Sequence, residues 1–336
     1  MTNTNFAKLL TGFLSNYLPM ERGMSINTIS SYKDTFILFI KYMEYIKIKI
    51  NRITLEVITM DIVVDFLDWL QATRKCCNST RNLRLAAIHS FFKYIQYQYP
   101  ENLLEMQRIL SIPNKKEEKK SFNYLSLNGI SLLLRQPNTS NSRGRRDLAL
   151  LSLMYDTGCR VQELIDLTPS DIRFNNPITI CIKGKGNKSR IVPMLDRQVN
   201  ILKEYMIEYK LLEPQFMHHP LFFNSQLQKF TRAGINYILH KYIVMATKVD
   251  STLIPDRISC HSLRHSKAIH LLQSNVNLIY IRDLLGHTSI TTTEIYARAD
   301  SSMKRRALEN AFVDVKPDQI PSWLVNDDLL EWLKSF

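Results

Sequence analysis

The chain has 336 residues, of which 45% are hydrophobic and 22% charged, a composition typical of a folded protein long enough for two domains. Its net charge of +13 indicates a polyanionic partner, and nucleic acid is the first candidate. No run of about 18 uncharged apolar residues occurs and the N-terminus lacks a signal-peptide pattern, so we expect no membrane association and a cytoplasmic location.

The cysteines and histidines do not indicate a metal site. The five cysteines include no CxxC pair and no set with zinc-ligand spacing, so we expect reduced thiols. His261 and His265 are four residues apart, as a metal pair on a helix would be. The sequence supplies neither an accompanying glutamate motif nor an evident third ligand, and we therefore expect no metal.

Apolar residues recur at helical spacing from about residue 6 to residue 112. Helices are predicted to start near Ser25, Thr59 and Thr80, and Pro100 ends the third, which a short helix follows. Polar residues of this region are each typical of an ordinary surface, but together they suit contacts to a DNA backbone. These candidate DNA contacts are Arg22, Ser25, Thr28, Lys33, Arg81, Asn82 and Arg84.

A charged segment with no apolar residues follows Pro113. Such a segment cannot pack a core, so it is predicted to be an interdomain linker, with a solvated helix end as the alternative. The predicted organisation is a helical DNA-binding domain at 1–113, the linker at 114–121, a second domain at 122–310 and a tail at 311–336.

The second domain is predicted to mix helices with a small antiparallel sheet. A helix at about 145–156 ends at Gly158, a C-cap glycine. Two β-rich runs, 178–183 and 190–194, are joined by a glycine- and lysine-rich hairpin turn. Helices resume near Asp196, Thr231 and His261, and a capping box of Thr291 and Glu294 predicts a further helix start.

Five basic residues and one tyrosine in this domain form a candidate catalytic set. Arginine pairs can grip phosphate oxygens in bidentate fashion, and a phenolate both attacks phosphorus and leaves it readily. This arrangement suits breaking and rejoining a phosphodiester without a metal, ATP or another cofactor. The residues are Arg160, Lys185, His261, Arg264, His287 and Tyr296.

In order and spacing these six residues resemble the active site of the tyrosine recombinases, or phage-type integrases. The chain looks most similar to Xer-type and transposon-encoded members, over about residues 8–310. The resemblance implies an α-helical, SAM-like core-binding domain and a mixed, mainly α catalytic domain with a small antiparallel sheet. It also implies a homo-tetramer on two double-stranded DNA sites, exchanging strands through a Holliday junction. Integration, dimer resolution and transposition all remain open.

The same resemblance assigns a role to each residue. Tyr296 becomes linked to a DNA 3′-phosphate, Arg160 and Arg264 clamp the phosphate, and Glu163 organises the site. His261 takes the tyrosine proton or binds phosphate, and His287 donates a hydrogen bond. Lys183, Lys185 and Lys188 compete as the proton donor to the leaving 5′-oxygen, and the family pattern selects Lys185. The remaining hairpin residues are expected DNA contacts: Lys183, Lys188 and Arg190.

Two other classes of protein are alternatives to a recombinase. A type IB topoisomerase-like enzyme would use the same chemistry without a synapse, and a catalytically silent DNA-binding regulator would need none of the six residues. The apolar tail disfavours the first. Its stripe of Leu329, Leu330, Leu333 and Phe336 must be buried, either on its own domain or, as the resemblance suggests, on a neighbouring protomer.

Overall fold

The computed structural model describes residues 4–117, 123–184, 186, 188–299 and 329–334. The chain divides into two compact units, Met1–Lys120 and Ser121–Phe336, and each is described by itself. Among the described helices, none is long and apolar enough to cross a membrane.

The first unit is entirely helical in its described part, as predicted. Ser25 and Thr59 cap two of the helices, because their hydroxyl oxygens accept from backbone N–H groups three residues on. An aromatic core that includes Phe13, Phe36 and Phe91 holds the helices together. The elements are α1 (Asn5–Gly12), a π-helix (Phe13–Glu21), α2 (Ile26–Tyr45), α3 (Met60–Arg74), α4 (Asn78–Ile95) and α5 (Leu103–Leu110).

The second unit packs helices around a three-stranded antiparallel sheet of order β1-β2-β3. The predicted hairpin is confirmed as β2 and β3, in which the buried residues Ile180 and Val192 are paired. The elements are α6 (Leu127–Leu134), α7 (Ser142–Thr157), α8 (Val161–Asp166), β1 (Ile172–Arg173), β2 (Thr179–Lys183), β3 (Ser189–Pro193), α9 (Asp196–Glu208), α10 (Arg232–Val249), α11 (Cys260–Gln273), α12 (Leu278–Leu285) and α13 (Thr291–Ala299).

Two glycine turns bring separate parts of this unit together. Helix α7 ends at Gly158 with φ 57°, and α12 ends at Gly286 with φ 65°, both in the left-handed region that favours glycine. A Cβ added to Gly158 would lie 2.7 Å from the Leu285 side chain, so the two turns are in close contact. The residues that follow each turn are therefore neighbours.

Helix α13 begins at Thr291, whereas the predicted capping box would make Thr291 the cap before the helix. The hydroxyl oxygen of Ser289 accepts from the Thr291 N–H at 3.2 Å. Ser289, two residues before the helix, therefore satisfies one of its N-terminal donors. The helix start is thus one residue earlier than the sequence predicts.

A short helix, Leu329–Lys334, lies where the tail pattern predicts one. Its Leu330 is 62% exposed and its Leu333 is 58% exposed. Phe336, the last residue of the predicted stripe, lies outside the described part of the chain.

Candidate active site

Arg160 stands at the start of α8, two residues after the Gly158 turn. Its backbone N–H donates to Glu163 Oε2 at 2.9 Å, and its Nη1 donates to Oε1 of the same carboxylate at 2.7 Å. Glu163 is buried, whereas 37% of the Arg160 side chain is exposed. The contact that the three-residue spacing predicts is present, and it leaves an anchored guanidinium that solvent can reach.

Arg190, on β3, connects the same carboxylate to the end of α12. Its Nη2 donates to Glu163 Oε2 at 2.7 Å and its Nε donates to the Leu284 carbonyl oxygen at 2.7 Å. The sequence predicts a DNA contact for Arg190, and that role stays a prediction. In the structure the buried carboxylate needs compensating donors, and Arg190 supplies one of them.

Arg264, on α11, is fully buried. Its Nη1 donates to the Gly158 carbonyl oxygen and its Nη2 donates to the Leu285 carbonyl oxygen, both at 2.6 Å. These carbonyl groups lie at the ends of α7 and α12, where negative partial charge accumulates. Arg264 therefore holds the two glycine turns together, and its Nε is without a hydrogen-bond partner in the described part of the chain.

His287 follows the Gly286 turn and is half-buried. Its Nδ1 lies 2.9 Å from Oγ1 of the buried Thr293. Its ring is nearly parallel to that of Tyr296, at 16°, with the ring centroids 6.3 Å apart. Thr293 thus fixes the orientation of an imidazole that lies against the predicted nucleophile.

Tyr296 is only 1% exposed and packs with apolar residues of α11 and α12. Its Oη lies 3.0 Å from Nδ1 of His265, and the His265 ring meets the ring of His261 edge-on at 4.5 Å. The resemblance implies that His261 takes the phenol proton or binds phosphate. In this structure the histidine that contacts the hydroxyl group is His265.

A cavity of about 670 Å³ opens beside Arg160 and His287. Arg160, Lys188 and Arg190 make its wall basic, which suits an anionic group. Among the described residues, neither Tyr296 nor Arg264 belongs to this wall. The wall consists of Arg160, Gly184, Gly186, Lys188, Ser189, Arg190, Asp283, Gly286, His287, Thr288 and Thr292.

Comparison with known families accounts for both units of the chain. The phage integrase family matches residues 123–303, and the N-terminal SAM-like domain of phage integrases matches residues 11–117. The chain belongs to the phage integrase family. It is therefore a tyrosine site-specific recombinase, and the predicted fold class, a SAM-like helical domain followed by a mainly α catalytic domain, is confirmed.

Similar recombinases cover most of the chain. An integrase/recombinase of Sinorhizobium fredii is 35% identical over 308 residues, 91% of each protein. Tyrosine recombinase XerD of Listeria monocytogenes is 32% identical over 86% of this chain and 93% of the relative. The XerH site-specific recombinase, solved with its palindromic difH substrate in a post-cleavage complex, matches with a TM-score of 0.66 and 26% identity over 86% of this chain and 80% of its own.

Burial sets the protonation states in the recombinase site. Burial, and then nearby positive charge, lowers the pKa of His287 to about 4 and that of His265 to about 4. The same causes lower the pKa of Arg264 to about 10. Burial raises the pKa of Tyr296, against the opposing influence of the arginines. At neutral pH both imidazoles are therefore neutral, Arg264 is charged and the phenol is protonated.

The lysines of the β2–β3 hairpin differ in surroundings. Lys183 is exposed and lies 3.6 Å from Asp171, whereas Lys188 is exposed and belongs to the cavity wall. Lys185, the predicted proton donor, lies outside the described residues. Its neighbours Gly184 and Gly186 both line the cavity, so the described part of the hairpin borders the cavity.

Two predicted DNA contacts of the first unit are buried. Asn82 donates to the Lys115 carbonyl oxygen and accepts from the Lys115 N–H, and Arg81 is 4% exposed. Both lie in the first turns of α4, on a side that the segment around Lys115 covers, and their predicted role as DNA contacts stays a prediction. Arg84 is half-buried and donates to the Ser31 carbonyl oxygen of α2. The remaining candidates are exposed or half-buried at the start of α2 or near it: Arg22, Ser25, Thr28 and Lys33.

Sequence reasoning misses two residues that contact the predicted site residues Tyr296 and His287. The sequence pattern suggests His265 only as a metal ligand with His261. Its position next to Arg264, on the same helix, is the signal that it lies near the site. Thr293 lies three residues before Tyr296, one helical turn away. That spacing is the signal that could have found it.

Glu163→Gln should lower the stability of the recombinase at neutral pH by about 2 kcal/mol, a typical contribution of hydrogen bonds to a charged group. Burial alone would raise the pKa of Glu163, but hydrogen bonds from Arg190 and Arg160 bring it below the ordinary value of 4.5. A lowered pKa gives stabilisation that is complete above pH 4.5 and declines as the pH falls below it.

Thermal unfolding at pH 7 and below pH 4.5 measures this effect. The difference between the wild type and Glu163→Gln should shrink on acidification, whereas the exposed-site control Glu204→Gln should change little at either pH. A difference that stays constant with pH would show that the charge of Glu163 does not stabilise the fold.

Proposed function

We propose that this recombinase cuts and rejoins double-stranded DNA at specific sites with Tyr296 as the nucleophile. Tyr296 Oη attacks the scissile phosphorus, the bond to the 5′-oxygen breaks, and a 3′-phosphotyrosine and a 5′-hydroxyl result. Attack by a 5′-hydroxyl reverses the step and rejoins a strand. The position of His287 is the main support for this proposal. His287 lines the basic cavity together with Arg160, and its ring lies against the ring of Tyr296.

Preorganised donors in the cavity stabilise the charge that develops on the phosphate. Arg160 is held by Glu163 yet remains accessible, so it suits binding of a non-bridging oxygen. In this scheme Thr293 donates to His287 Nδ1, so that Nε2 carries the proton and donates to the phosphate. Arg264 is the proposed second clamp, although it does not line the cavity in this structure. Its two Nη groups hold the ends of α7 and α12, so its Nε is the group proposed to donate to the phosphate once DNA is bound.

The reaction needs two proton transfers: the phenol must lose a proton, and the leaving 5′-oxygen must gain one. His261, which is exposed, is the proposed acceptor of the phenol proton once Tyr296 engages DNA. Lys185 is the proposed donor to the leaving 5′-oxygen. No metal ion or nucleotide enters this scheme, because the phosphotyrosine conserves the energy of the phosphodiester bond.

Four protomers on two DNA sites would exchange strands in pairs through a Holliday junction. The net charge of +13 supports a DNA partner. The exposure of Leu330 and Leu333 supports docking of the tail helix on a neighbouring protomer, since an apolar stripe is unfavourable in water.

The proposal is tested with DNA recovered from a random duplex pool by binding to the purified protein. A duplex nicked just 3′ of the cleavage position lets the short product diffuse away and traps the covalent complex. The expected result is a denaturant-resistant protein–DNA adduct that forms equally well in EDTA. Strict dependence on a divalent ion would contradict the proposed chemistry.

Lys185→Ala should impair cleavage of ordinary DNA strongly, since general acid catalysis typically contributes about 100- to 10,000-fold. A substrate with a 5′-bridging sulfur should restore the rate, because a thiolate leaves without protonation. Lys188→Ala is the matched control, on the same hairpin. If Lys188→Ala is rescued by sulfur and Lys185→Ala is not, the general acid is Lys188.

A further inference from the structure

The phenol of Tyr296 is buried, and Tyr296 is not among the described residues that line the basic cavity. Its ring packs in an apolar cluster with Ala268, Ile269 and Leu272. A charged phosphodiester cannot follow the hydroxyl group into that cluster, because desolvation of the phosphate would be too costly. Reaction at phosphorus therefore requires Tyr296 to leave this position.

A hydrogen bond from α11 holds the hydroxyl group where it is. Tyr296 Oη and His265 Nδ1 are 3.0 Å apart, and the two rings are inclined by 60° with centroids 5.5 Å apart. Because the phenol is protonated and the imidazole neutral at neutral pH, this is an uncharged hydrogen bond of ordinary length.

We propose that His265 is a positioning residue that holds the nucleophile in its buried position, and that the His265–Tyr296 hydrogen bond must break before attack. The inference rests on the proposed function of Tyr296. His265 then sets the fraction of protomers whose phenol is ready to react. A typical net hydrogen-bond contribution of about 1 kcal/mol corresponds to about a fivefold change in that fraction.

Removal of the phenol proton by His265 would give the opposite kinetics. Loss of a general base slows cleavage, whereas loss of a group that holds the phenol in its buried position accelerates it. The pKa of about 4 also makes the His265 imidazole a weak proton acceptor, which favours the holding role.

Three substitutions at one position separate these roles. His265→Phe keeps a ring and removes both nitrogens, and it should raise the single-turnover cleavage rate on the nicked duplex about fivefold. His265→Asn places an amide close to the Nδ1 position and should remain near the wild-type rate. His265→Gln reaches towards the Nε2 position instead and should behave like His265→Phe.

DNA affinity and melting temperature are measured for each variant, because neither should change much under this proposal. A folded His265→Phe variant that cleaves at the wild-type rate or more slowly overturns it. If His265→Phe does not fold, the amide pair decides, and equal rates for His265→Asn and His265→Gln overturn it. An adduct that persists in Tyr296→Phe would instead contradict the proposed nucleophile.

Discussion

Tyr296→Phe should abolish covalent adduct formation and leave DNA binding intact. The substitution removes only the attacking oxygen, and the ring keeps its apolar packing in the cluster of α11, α12 and α13. The fold should change little, because the substitution removes a hydrogen bond to His265 and such bonds contribute about 1 kcal/mol to stability. Denaturing electrophoresis of the nicked-duplex reaction measures the adduct.

The matched control is Tyr280→Phe, an exposed tyrosine on the neighbouring α12. It should form the adduct at the wild-type rate. A normal adduct yield from Tyr296→Phe would mean that another residue attacks the phosphate. Loss of DNA binding in that variant would instead indicate a structural role for the phenol.

Arg160→Ala should slow cleavage by about 100- to 1,000-fold, the usual consequence of removing one preorganised donor from a developing oxyanion. Binding should fall far less, because many other basic groups share the phosphate contacts. Stability should fall only modestly, since the side chain is 37% exposed. Single-turnover rates, equilibrium binding and thermal melting separate the three effects.

Arg264→Ala should differ from Arg160→Ala in its effect on stability. Its guanidinium is fully buried and holds the carbonyl groups of Gly158 and Leu285, so its loss should lower the melting temperature as well as the rate. Arg197→Ala, at an exposed position of α9, is the control for loss of charge. Equal losses of binding and cleavage in Arg160→Ala would make Arg160 a general DNA anchor.

Features encoded by local chemistry are predictable from sequence. Gly158 and Gly286 end their helices in the left-handed conformation, because that geometry is readily available only to glycine. The hairpin follows from two β-rich runs around a glycine-rich turn, and the Arg160–Glu163 contact follows from helical spacing. Helix ends and pairs within one turn depend on few residues, so a sequence pattern specifies them.

Contacts between distant segments are not predictable in this way. His265 and Tyr296 meet across 31 positions, and helical spacing on α11 does not distinguish His265 from His261 as the partner. The hairpin pattern predicts a DNA contact for Arg190 but not its contact with Glu163, which depends on the packing of β3 against α12. The burial of Arg81 likewise depends on tertiary packing, since its place on α4 alone would suit a polar face.

Peptide mapping of the trapped adduct tests the central claim most directly. After nuclease and protease digestion, mass spectrometry locates the residue that carries the nucleotide remnant. The expected result is a remnant on Tyr296 linked through a 3′-phosphate, with a free 5′-hydroxyl on the released strand. A remnant on any other residue, or a 5′-phosphate linkage, would contradict it.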